Sequence, residues 1–64
     1  MKPDRFYQSY LERYLNERYG AFEDTIEFFN DPAPNAWSFY IPDINYTATI
    51  TCDDNGIVTE RKGA

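Results

Sequence analysis

Glu23, Asp24 and Glu27 put three carboxylates within five positions of a chain that contains no histidine. Paired carboxylates can do acid–base work when one is held neutral in an apolar, concave site. The residues between and around these three forecast a solvated edge instead of such a pocket. Without histidine, the usual general base, proton shuttle and metal ligand is missing. Cys52 is the one thiol. As a nucleophile it would need a base beside it, and it falls on the apolar parity of its segment, so it reads as a core thiol. Asp53-Asp54-Asn55-Gly56 looks at a glance like part of a calcium loop. The spacing ahead of the glycine is too short, and Lys62 stands where the bidentate glutamate belongs. A hairpin turn accounts for the whole run. Gly20, Gly56 and Gly63 are too scattered for a phosphate-cradling loop. The expectation is therefore no catalytic, cofactor-binding or metal-binding residues, and no enzyme.

What remains is surface chemistry. Residues 19–60 hold eight acids and no lysine or arginine, whereas the bases sit at Lys2, Arg5, Arg13, Arg18, Arg61 and Lys62. The net charge is −5. A surface of one sign selects partners by sign, which disfavours nucleic acid and anionic lipid and favours a basic protein surface. The chain also carries twelve aromatic residues against eight of Leu, Ile and Val. Aromatic rings bury large areas each, so few residues can still fill a core. Some rings should be left over at the surface as anchors for a partner or a second copy. The candidate partner contacts are Glu23, Asp24, Glu27, Asp31, Trp37, Tyr40 and Asp43.

The elements that position these residues follow from periodicity. Tyr7, Tyr10, Leu11, Tyr14 and Leu15 recur at three- and four-residue spacing and predict a helix over 4–19. Ser9, Glu12, Arg13 and Asn16 lie on its wet face. Pro3 and Asp4 suit its start, Gly20 suits the position just past its end, and Arg18 complements its dipole while its stem covers apolar surface. An ion pair between Arg18 and an acid of the sheet is the sharper reading of that residue. Residues 22–29 fit a helical face or a strand, and the β-branched and aromatic content favours a strand at about 25–30. Asn30 to Asn35, with two prolines, reads as a loop. Trp37 to Ile41 is a second strand, with Trp37, Phe39 and Ile41 on one face and Tyr40 on the other. Pro42-Asp43 then turns the chain.

Ile44, Tyr46, Ala48, Ile50 and Cys52 alternate with Asn45, Thr47, Thr49 and Thr51, giving one buried and one wet face. A tight turn at Asn55-Gly56 leads into a last strand at Ile57–Glu60, after which residues 61–64 should fray. The sum is an α+β fold: one N-terminal helix on an antiparallel meander of three or four strands, as a single small domain over 1–64.

A chain this short has little stability to spare and often leans on association. No apolar run follows Met1-Lys2-Pro3-Asp4-Arg5, so neither signal peptide nor membrane span is expected. The single cysteine points to a reducing cytoplasm. The functional expectation is a small acidic interaction module engaging a basic protein. By analogy of size and charge alone, it would be an accessory or inhibitor protein of the phage or mobile-element type. The alternative is a self-associating, homodimeric structural domain.

Overall fold

Helix α1 spans Asp4–Tyr19, and the buried positions along it are Tyr7, Leu11 and Leu15, at the four-residue spacing of one stripe. Tyr10 and Tyr14 are half-buried beside that stripe, and Ser9, Glu12, Arg13 and Asn16 face water. The computed structural model describes residues 2–63, apart from the side chains of residues 30–32. Four strands follow the helix: β1 (Glu27–Ala33), β2 (Ala36–Ile41), β3 (Tyr46–Cys52) and β4 (Val58–Lys62). They form one antiparallel sheet in sequence order, a plain meander. The core is the α1 stripe laid against Phe39, Ile41, Ala48, Ile50 and Cys52. Each of the large side chains there stabilises the fold by about 1.5–3 kcal/mol through burial.

Several boundaries differ from the sequence reading, each for a local reason. Gly20 does not take the left-handed conformation at the helix end; with φ −57° it starts a 3-10 turn, Gly20–Phe22, that continues the helix more tightly. The segment read as a loop over residues 30–35 is mostly strand, because β1 runs through Pro32 to Ala33 and only Pro34-Asn35 forms the turn. Proline fits there because β1 is an edge strand with register shifts on both sides of Asn30, so the missing N–H interrupts no continuous ladder.

Ile44 was expected on the buried parity of β3 but is 49 % exposed. It belongs to a 3-10 turn, Pro42–Ile44, and Asn45 (φ 50°) redirects the chain before β3 begins. Nor does the tail fray at Arg61. Strand β4 starts at Val58, reaches Lys62, and the Gly63 N–H donates to the Thr47 carbonyl at 2.7 Å.

The hairpin from β3 to β4 is built as its residues require. The Asp53 side chain accepts the N–H groups of Asn55 and Ile57, both at 2.9 Å. Gly56 adopts φ 82° beneath the Tyr10 ring. A β-carbon at Gly56 would come within 2.7 Å of Tyr10 Cζ, so both the backbone and the close approach call for glycine.

On the outer face of the sheet, Ser38 is buried among its cross-strand neighbours, and its hydroxyl meets that of Thr49 at 2.8 Å. Thr47, Thr49 and Thr51 are half-buried there.

A candidate interaction groove between the helix and the first strand

Strands lie about 4.8 Å apart, so the outer two of four are about 14 Å apart. A helix is about 10 Å across and covers roughly two of them. Helix α1 lies over β3 and β4. The same face is left open at β1 and at the Trp37 end of β2, where Phe28 is 52 % exposed and stands edge-on to Trp37 with ring centres 5.7 Å apart. Between this aromatic floor and α1 runs a groove of about 360 Å³. Leu15, Ile26, Phe28 and Trp37 line its bottom, and Glu12, Asn16 and Glu23 its sides. No lysine or arginine lines it.

The charge on α1 is arranged to match. Arg13 lies 5.8 Å from the centre of the Tyr10 ring, on the flank that faces Gly56 and Val58 together with Glu17, and Arg18 lies 4.8 Å from the centre of the Tyr14 ring. Glu12 and Asn16 occupy the opposite flank, on the groove.

The seven expected contact residues therefore do not form one patch. Glu23 and Trp37 meet in the groove. Asp24 is exposed in the turn before β1. Glu27 pairs with Tyr40 across β1 and β2, which puts both on the outer face, where the Tyr40 hydroxyl donates to Asn45 at 3.1 Å. Asp43 is exposed in the turn after β2. Asp31 falls within β1, with its side chain outside the described residues. The residues sequence reasoning missed are Glu12, Ile26 and Phe28. The signal for Phe28 was present: two adjacent phenylalanines in a strand cannot both face inward. Phe28 takes the helix side, against Trp37 and Phe39, while Phe29 sits in the bulge and is 53 % exposed.

The other polar constellation is built around Glu60. Glu60 lies on the inward parity of β4, next in line to Val58, and accepts three tyrosine hydroxyls. Tyr14 donates to Oε1 at 2.6 Å, Tyr19 to Oε2 at 2.7 Å, and Tyr46 also to Oε2. Burial by itself would push the carboxyl up. The three hydroxyls, with the nearby Arg18 charge, outweigh it and hold Glu60 below the usual carboxylate range. Arg18 thus reaches this acid through its field while its guanidinium stacks on Tyr14. Burial and the Glu60 carboxylate push Tyr14 up to about 12 and Tyr19 further in the same direction. Tyr7 closes the other end of α1, donating to Asp54 at 2.5 Å. These tyrosines hold protons tightly and offer no base.

Burial likewise pushes the Cys52 thiol up, keeping it protonated at neutral pH. Among the described residues no cluster of His, Cys, Asp or Glu could hold a metal ion, and no helix is long and apolar enough to cross a membrane. No protein-family model, curated protein or solved structure matches the chain.

Proposed function

We propose that this chain is a small acidic interaction module that engages a basic protein surface and catalyses no reaction. The observation that carries the reading is the groove: an aromatic floor of Phe28 and Trp37 with Glu12 and Glu23 beside it and no base among its lining residues. Buried rings supply affinity in such contacts, and charges of one sign supply steering and choice of partner. Asp24 in the turn before β1, Glu27 on the outer face of β1 and Asp43 in the turn after β2 add exposed charge of the same sign. A cytoplasmic location fits the single protonated thiol of Cys52. An accessory or inhibitor role of the phage or mobile-element kind agrees with the size and charge. The test is binding to a panel of matched basic and acidic proteins across a salt series. Binding should be confined to the basic members and weaken steeply as salt rises. Equal affinity at low and high salt would refute the electrostatic reading.

A homodimer is the second reading, and the exposure of Phe28 and Phe29 on an edge strand favours it. Light scattering at high concentration decides it; a strict monomer removes it.

A further inference from the structure

We propose that the groove receives an amphipathic helix of the partner, with an apolar stripe flanked by lysine or arginine, lying beside α1 as the missing second helix of the layer. The inference rests on the interaction reading above and specifies its ligand. Width is the first argument. One helix about 10 Å across covers about half of a four-stranded sheet, and among the described residues the open part at β1 and the Trp37 end of β2 presents the rings of Phe28 and Trp37. A neighbouring helix axis would lie about 8–10 Å from that of α1, over those rings.

Charge is the second argument. The groove flank of α1 presents Glu12 and Asn16, and Glu23 lines the groove after the helix ends. Arg13 and Arg18 lie against Tyr10 and Tyr14 and are not among the groove's lining residues. A cationic flank on the incoming helix would meet Glu12 and Glu23 as its apolar stripe covers the floor.

The same features weigh against other occupants. A strand added to β1 would meet Pro32, which has no N–H, and a ladder broken by two register shifts. A second copy seated groove to groove would bring Glu12 and Glu23 of both copies to one apolar seam, like charge against like. The wet face of α1, with Ser9, Glu12, Arg13 and Asn16, offers no apolar stripe to fill a second copy's groove.

The test uses the whole chain and three synthetic peptides of about the length of α1: a helical Leu/Lys peptide with one leucine stripe, its Leu/Glu counterpart, and a Leu/Lys peptide of identical composition with the stripe scrambled. Trp37, the single tryptophan, reports on the groove by its emission, and amide chemical shifts map the contact. The striped Leu/Lys peptide should shift Trp37 emission saturably, perturb Glu12, Asn16, Glu23 and Phe28, and bind at least tenfold tighter than the other two. The exposed double variant E12K/E23K, its fold checked by circular dichroism, should reverse the preference toward the Leu/Glu peptide. Equal binding of the scrambled peptide, or shifts centred on Glu27, Tyr40 and Asp43, overturns the helix-in-groove inference while leaving an acidic binding surface in place. Absence of binding by every cationic peptide at low salt overturns both. Burial of Trp37 between two copies at micromolar concentration overturns the inference in favour of the homodimer.

Discussion

Replacing Glu60 with glutamine keeps the shape of the side chain and removes its charge and one acceptor oxygen. In the parent, two carboxylate oxygens take three hydroxyl protons from Tyr14, Tyr19 and Tyr46. The amide keeps one carbonyl oxygen, and its nitrogen can only donate. At least one tyrosine must then turn to accept from the amide, leaving its own proton without its partner. Hydrogen bonds to a charged group contribute about 1.5–3 kcal/mol each, and neutral ones about 0.5–1.5 kcal/mol. Water at the margin of this half-buried cluster recovers part of the loss, so the net cost should be about 2–4 kcal/mol rather than the full sum. A domain of this size has about 3–10 kcal/mol in total, so the variant should approach the edge of folding. Urea unfolding followed by Trp37 emission measures the loss directly. At a slope of about 1 kcal/mol per molar, the midpoint should fall by about 2–4 M. The neighbouring surface change Glu17→Gln should cost less than about 0.5 kcal/mol. A Glu60→Gln midpoint equal to that of the Glu17→Gln control would show that the tyrosine cluster contributes nothing. The same pair carries a pH signature. The folded-state pKa of Glu60 lies below its unfolded value, so its contribution is complete above that unfolded value and is lost as pH falls through the folded one. Glu60→Gln should flatten this part of the acid limb.

At the alkaline end the sign reverses. Tyr14, raised to about 12, favours folding fully below the ordinary tyrosine pKa of 10 and loses that contribution as pH climbs through its folded value. Absorbance titration should show Tyr14, Tyr19 and Tyr46 ionising late, and Tyr14→Phe should remove one tyrosine's share of that late absorbance change. Gly56→Ala should cost about 1–3 kcal/mol, because alanine is strained at φ 82° and its β-carbon strikes the Tyr10 ring. In a double-mutant cycle with Tyr10→Ala the steric share should vanish and the backbone share remain. Leu11→Ala, at the centre of the core and fully buried, should cost about 2–5 kcal/mol in the same urea assay. Cys52 should resist a thiol reagent in the native chain and react at the rate of unfolding, since the buried, protonated thiol is inaccessible; prompt labelling would contradict its placement.

The stripe from Tyr7 to Leu15, the alternation from Tyr46 to Cys52 and the turn at Gly56 were legible because each is a local pattern with one period. Strand β1 was less so. Whether Pro32 ends a strand depends on whether that strand lies at an edge, and edge position is set by the order of all four strands. The groove was the least legible part. Its floor joins Phe28 and Trp37, and its side brings Glu12 from another element, so it exists only because one helix is narrower than the sheet beneath it. Of the acids picked out by composition, Glu23, Asp24, Glu27 and Asp43 are exposed, but the fold divided them: Glu23, in the turn before β1, joined the groove, while strand parity sent Glu27 to the outer face with Tyr40. Glu60 stands next to Arg61 and Lys62 in the sequence, with no local pattern to set it apart. Its meaning came from parity as well, since every second residue of β4 points at the helix.

That parity has a consequence for misfolding. If β4 slid by one position along β3, Thr59 or Arg61 would turn toward Tyr14, Tyr19 and Tyr46 in place of Glu60. The arginine would meet three hydroxyls with more donors, and the threonine is too short to gather them. A slide of two would bring up Val58 or Lys62, neither of which can accept a proton. Only one alignment of the last strand therefore satisfies all three tyrosines. The cluster therefore favours the same register of the last hairpin that the turn at Asp53–Gly56 sets, so turn and core select one alignment together.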